Sequence, residues 1–352
     1  MKLSFISSTA IQNSMRQTIR QAQNEMTDAS TEATTGVYAD IGVSLGSGTA
    51  SSVNLTRDVT RIDSILSSNS VVNQRMTSSQ TALSDMSSQA QKFMDQLVAL
   101  RGNSDDSSIQ LTQQTATATM SSFVADANTM VNGEYLFAGT NTDVQPMTDN
   151  STAATTAIQS ALDDYATAQY PGAASTAEAV SNLTGDQMKD FITNVAEPLV
   201  TSDSSWSDWS SASDQNMSSR ISNSEVIESS TNANATGMRY LALSTTVANA
   251  LMGQGLSQDA LNAVTDQATS YARQAIDGLN NQASQLGLSQ ARLTDANTSL
   301  NAQKTIINTN ISDLTGVDAY EASTKVNSLQ TQLETAYTIV SKIQQLSLVN
   351  YL

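Results

Sequence analysis

The chain has 352 residues, with 33 acidic side chains against 16 basic ones, a net charge of −17, and neither Cys nor His. That excludes disulfides, thiol nucleophiles, imidazole bases and the commonest zinc ligands, and like charge disfavours nucleic acid and anionic membranes as partners. A hydrophobic content of 39%, against roughly 45–50% in ordinary globular domains, leaves too little for one thick core and predicts thin, elongated helical layers.

The opening "MKLSFISSTAIQNS" carries an apolar patch shorter than the roughly 7–15 residues of a secretory signal core, so export by the general route is not expected. A first helix is expected over 1–35, with Ile11, Met15, Ile19, Ala22 and Met26 as its apolar stripe. The glycine- and serine-rich "GVYADIGVSLGSGTASS" reads as a connector, 36–54. From Leu55 to Leu100 the apolar positions, among them Ile62, Met76, Leu83, Met86, Phe93 and Leu97, keep three-and-four spacing. That predicts a coiled-coil-like rod of roughly 70 Å over 54–101. Gly102 ends it. Ser104, Asp105 and Asp106 then read as the cap and acidic first turn of a second helix running to about Val131, which completes the first half of a rod domain, 55–140.

All three prolines (Pro146, Pro171 and Pro198) and both tryptophans (Trp206 and Trp209) fall in 141–235. Proline costs about 3 kcal/mol inside a helix, so the proline-free flanks suit long helices. The stretch between them reads as an inserted α+β domain, with helices over 153–168 and 185–200. A hairpin in 217–230 would turn near Asn223. The second half of the rod, 236–316, repeats the apolar rhythm through Leu261, Val264, Leu279, Leu286, Leu293 and Leu300, weakened at Gly278 and Gly287. Gly316 breaks it, and Asp318 with Glu321 has the form of a capping box. The last helix, 317–352, carries Val326, Leu329, Leu333, Ala336, Val340 and Ile343 on one face and ends "LSLVNYL", with Leu346, Leu348, Val349 and Leu352. The expected fold is mainly α: an antiparallel helical bundle or coiled coil built from both chain ends, with a smaller inserted domain.

Chemistry is sparse. Asp105/Asp106 and Asp163/Asp164 are adjacent on helices and do not face each other, so each reads as solvated surface. No phosphate loop or metal-spaced cluster is present, and no cofactor is implied. The terminal stripes are different. Burying six such apolar side chains gives on the order of 10 kcal/mol before ordering costs, and that gain needs a partner: the other terminal helix or neighbouring chains. The terminal residues named above, from Ile11 to Met26 and from Val326 to Leu352, are therefore expected to form a subunit interface.

The segment "GEYLFAGTNTDVQPM" resembles the end of the N-terminal helical core in the hook-associated protein 3 family of bacterial flagella. Gly133, Tyr135, Leu136, Phe137, Ala138, Gly139, Thr142 and Pro146 fill that family's pattern. Residues 311–352 resemble the carboxyl end shared with flagellins, at Asp318, Glu321, Ala322, Leu329, Leu333, Leu346, Ser347, Leu348 and Leu352. The resemblance spans roughly two thirds of the chain and fades in 145–235; the connector keeps only Thr35 and Gly36 of the family's usual Thr-Gly-Lys-Arg. It implies a non-enzymatic subunit exported unfolded by the flagellar type III apparatus and secreted to the hook–filament junction. Its implied partners are the first junction protein, flagellin, copies of itself and an export chaperone. Two other readings stay open: a flagellin-type filament subunit, and a sugar-binding or carboxylate enzyme module in 141–235 with Trp206 and Trp209 as a stacking platform.

Overall fold

The computed structural model describes residues 8–102 and 104–349. In chain order it runs α1 (Ser8–Thr35), α2 (Ile41–Leu45), α3 (Thr49–Gly102), α4 (Asp106–Ala127), β1 (Met130–Val131), β2 (Glu134–Tyr135), α5 (Ser151–Gln169), α6 (Thr176–Ser181), α7 (Gly185–Phe191), α8 (Glu197–Thr201), α9 (Asp203–Trp206), β3 (Ser218–Arg220), β4 (Val226–Glu228), α10 (Thr236–Leu251), α11 (Gln258–Thr315) and α12 (Ala319–Val349). The mainly helical class expected from the periodicity is what forms. Two compact units result: residues 1–64 with 299–352, and residues 65–298.

In the larger unit, α3 and α11 run antiparallel. Their polar side chains meet in a ladder whose numbers fall on one helix as they rise on the other: Asn69 with Asn297 at 2.6 Å, Gln290 with Asn73 and Thr77 at 2.9 Å, and Gln80 with the Ala283 carbonyl at 3.4 Å. Beneath the ladder, Met76, Leu83, Met86, Phe93 and Leu97 are buried with Leu279, Leu286 and Leu293. α10 lies deeper still, with every residue from Leu241 to Ala248 buried and its sides packed on α4 and α5; two of the hydroxyls in that run are met internally, Ser244 donating to Ala268 O at 2.7 Å and Thr245 to Leu241 O at 2.9 Å.

Gly278 sits where α11 meets the start of α10. A Cβ there would lie 2.5 Å from Gly237 Cα, and one on Gly237 would lie 2.7 Å from the Gly278 carbonyl carbon. The glycine that weakens the helical pattern is the one that admits a neighbouring backbone.

α4 is shorter than the sequence suggests. Asp105 caps it, its side chain accepting from Ser108 N at 2.7 Å, but the helix stops at Ala127. Met130 and Val131 pair antiparallel with Tyr135 and Glu134 instead. The cause is Asn132-Gly133: φ is +54° and +84°, the left-handed pair that a two-residue hairpin turn requires. The expected hairpin in the insert forms as β3–β4, with Ser219 opposite Ile227. Between α7 and α8 the helix widens to a π turn over Ile192–Ala196, just before Pro198, which has no N–H to donate.

In the smaller unit, α1 packs along α12. Gly36, at φ +70°, turns the chain after α1. Val37 bridges Gly316, and Tyr38 N donates to Thr315 O at 3.0 Å while Val317 N donates to Gly36 O at 2.9 Å. The connector is partly helical, since α2 intervenes and α3 already starts at Thr49. Asp318 Oδ1 accepts from Tyr320 N at 2.8 Å and from Glu321 N at 3.4 Å, capping α12.

Candidate subunit interface

The two terminal stripes are brought together by the structure. On α1, Met15, Ile19, Ala22 and Met26 are half-buried and Ala29 is fully buried; on α12, Ala322, Leu329 and Leu333 are buried and Val326, Ala336, Val340 and Ile343 half-buried. Each stripe therefore covers the other within one chain, which accounts for part of the burial that seemed to demand neighbours. Leu346, Leu348, Val349 and Leu352 have side chains outside those described.

What remains open is a groove of 410 Å³ between the helices, lined by Met15, Thr18, Thr331, Gln332, Thr335, Ala336 and Ile339. On the same two helices Ile11 is 39% and the groove residue Ile339 41% exposed, and Tyr337, half exposed, accepts from Gln23 Nε2 at 2.9 Å. Tyr320 stands 82% exposed. Sequence periodicity points to Ile11 but misses Tyr320, Tyr337 and Ile339, which are not among the stripe positions from Val326 to Ile343.

The segment beginning at Gly133 is built inward. Leu136, Phe137 and Ala138 are fully buried. Their backbone is tied to distant chain: Leu136 N donates to Thr129 O, Ala233 N to Phe137 O at 2.8 Å, and Ser213 N to Ala138 O at 3.0 Å. Gly139, at φ +63°, passes so close that a Cβ would lie 2.4 Å from Ser213 O. Arg75, buried on α3, pairs with Glu134 and donates to Tyr135 O at 2.8 Å. Asn128 brackets Met147, its Oδ1 accepting from Met147 N and its Nδ2 donating to Met147 O. The residues that carry the resemblance thus lock the end of α4 into the core and present Tyr135 only in part.

The tryptophan platform is overturned. Trp206 and Trp209 are 2% and 1% exposed, stacked on each other at 5.9 Å, with Trp206 Nε1 donating to Asn234 Oδ1 and Arg239 over the Trp206 ring. Neither face is open to a sugar. Asp105 is occupied as a cap and Asp163 and Asp164 face solvent. Two tyrosines with raised pKa are structural as well. Tyr271 and Tyr240 both donate to Glu197, at 2.7 and 3.3 Å, and burial, then that carboxylate, raises both hydroxyls above the usual tyrosine range. Among the described residues no group of carboxylates has metal-binding geometry, and no helix is long and apolar enough to cross a membrane.

Comparison with known proteins bears on the same two helical ends. Residues 6–142 match the bacterial flagellin N-terminal helical region, and residues 269–352 match the bacterial flagellin C-terminal helical region. No curated protein matches the chain. Among solved structures, one provisionally assigned as a flagellar hook-associated protein from Vibrio parahaemolyticus has a similar fold, with a TM-score of 0.53 and 11% identity over 76% of this chain and 97% of that one.

Proposed function

Since the chain belongs to the flagellin-like family of bacterial flagellar structural proteins, we propose that it is the subunit joining the hook, by way of the first junction protein, to the flagellin filament. The observation that carries this reading is the fold shared with nearly the whole of a structure assigned as hook-associated. The Gly133–Gly139 segment, whose residues resemble those of the hook-associated protein 3 family, supports it further.

In this reading the chain leaves the cell unfolded through the flagellar type III apparatus, and a chain without Cys has no crosslink to obstruct threading. Copies then assemble side by side through α1 and α12, with the exposed Ile11, Tyr337 and Ile339 covered by neighbours. Before assembly an export chaperone holds the C-terminal helix. Chaperone binding that survives removal of residues 318–352 contradicts that last step.

Deleting the gene tests the whole. The expected result is hooks without filaments, by electron microscopy, and intact flagellin leaking into the medium. A filament-subunit reading is favoured by the matched regions being those of flagellin, and it predicts lost filaments with no leaked subunit. Purified protein that extends long filaments from seeds would decide for that alternative.

A further inference from the structure

Asn132-Gly133 is the one Asn-Gly pair in the sequence, and it forms the tip of the β1–β2 turn. Both residues are exposed. Val131 pairs with Glu134, so the two residues between them stand outside the ladder. Among the described residues neither the Gly133 N–H nor the Asn132 side chain forms a hydrogen bond. A Cβ placed on Gly133 would meet nothing within 4 Å, so the space around the turn is open.

An unhindered glycine nitrogen next to a free side-chain amide is what a spontaneous rearrangement requires. The Gly133 nitrogen, giving its proton to hydroxide, attacks Asn132 Cγ; the new C–N bond forms, the Cγ–Nδ2 bond breaks and Nδ2 leaves as ammonia. Water then opens the cyclic imide at either carbonyl. One opening gives aspartate in the ordinary chain, the other isoaspartate, whose main chain runs through the former side-chain carboxyl carbon.

Comparable pairs elsewhere are closed. In the β3–β4 turn the nitrogen after Asn223 belongs to Ser224, which has a Cβ and donates to Ser222 Oγ at 3.4 Å. Asn128 has both amide atoms bonded to Met147. The one Asp-Gly pair, Asp277-Gly278, could form the same imide by losing water, but it lies inside α11, where the helical ladder holds the Gly278 nitrogen and Gly237 packs against it.

We propose that Asn132 is a self-modifying site, deamidated by the Gly133 nitrogen in the folded chain. The strands beside it are two residues each, so the turn opens locally at little cost. Aspartate at this position keeps the turn, because Asp-Gly suits it as well as Asn-Gly. Isoaspartate adds a methylene to the main chain, and a two-residue turn no longer sets Val131 opposite Glu134. Glu134 is the carboxylate paired with the buried Arg75, which also donates to Tyr135 O. The isoaspartate product therefore loosens the clamp that holds the start of the buried Leu136–Ala138 segment.

Mass spectrometry of the purified full chain tests this, after incubation at neutral and at mildly alkaline pH. Chymotryptic peptides covering 124–135 report the amide-to-acid mass change, and isoaspartyl methyltransferase labelling reports isoaspartate. The expected result is conversion at Asn132 ahead of every other asparagine, at a rate rising in proportion to hydroxide, with no isoaspartate at Asp277 while the chain is folded. Asn132→Gly keeps the left-handed turn available and should show no change at that position. A folded chain that stays unmodified at Asn132 over the time in which urea-unfolded chain converts overturns the proposal, since the fold then shields the turn. Earlier conversion at another asparagine, or a rate indifferent to pH, overturns it too. Urea midpoints before and after incubation test the clamp: the parent's should fall as isoaspartate accumulates, and that of Asn132→Gly should stay where it began. An isoaspartate-bearing parent with an unshifted midpoint overturns the loosened clamp.

Discussion

Two glycines in the same helix should respond in opposite directions to the same substitution. In water-exposed helix, Gly→Ala stabilises by about 1 kcal/mol. At Gly287 the new Cβ meets only Gln80 Nε2, at 3.4 Å, the mobile end of a long side chain, so Gly287→Ala should realise most of that gain. At Gly278 the new Cβ falls 2.5 Å from Gly237 Cα and 2.7 Å from Gly237 N, well inside the roughly 3.5–4.0 Å optimum for carbon contacts. No rotamer relieves a clash of Cβ with backbone. α10 must move off α11, and α10 is buried on nearly every side.

Overpacking costs about 1–3 kcal/mol; at its upper end, less the helix gain, Gly278→Ala should destabilise by about 2 kcal/mol. The two variants should then differ by about 3 kcal/mol. Urea unfolding followed by far-ultraviolet circular dichroism reads this as midpoints displaced to opposite sides of the parent. Gly237→Ala should destabilise similarly, and the double variant by less than the sum, because helices already parted make room for the second methyl. A Gly278→Ala protein as stable as the parent would refute the close-approach argument.

Burial, then the neighbouring Asp85, raises the Asp126 carboxyl above its ordinary 3.8, against a lowering hydrogen bond from Gln89. Its folded pKa exceeds its unfolded one, so the stabilising contribution is complete below 3.8 and lost as pH rises through the folded value. Asp126→Asn should melt higher than the parent at neutral pH and lose that advantage in acid; its amide also offers a donor to the unpartnered Gln89 Oε1. Glu134→Ala should cost more than Arg75→Met, by about 2 kcal/mol in chemical unfolding, since the first leaves a buried guanidinium without its carboxylate while the second leaves a half-exposed carboxylate free to hydrate. Gly139→Ala combines a left-handed backbone with a Cβ 2.4 Å from a carbonyl oxygen and should abolish soluble expression, a loss of about 3 kcal/mol or more.

The long helices were legible because two independent signals agree along them: no proline, and apolar residues every three or four positions. The α4 terminus was misread because Met130 and Val131 continue that rhythm in sequence. The countervailing signal, Asn132-Gly133, was present and is among the strongest short hairpin cues. The Gly278–Gly237 approach could not be read, since each glycine alone looks like a weak helical position and only the packed pair explains both. Likewise Trp206 and Trp209 have a spacing that suits either a platform or a core, and their burial depends on chain well away from them, such as Asn234 and Arg239. At the candidate interface both stripes were visible, and the other terminal helix was one of the two partners they called for; that it is the one taken within the chain depends on contacts across more than 300 residues of sequence.

The β-bridge between Val37 and Gly316 sets a clock on synthesis. At roughly 5–20 residues per second, a ribosome that has made α1 needs about 15–60 s to reach α12, and until then α1 lacks the helix it packs along. The segment after Gly133 waits too, for Ser213 and Ala233 to emerge. An order of growth that withholds the closing contact until the end keeps the smaller unit open for nearly the whole time of manufacture.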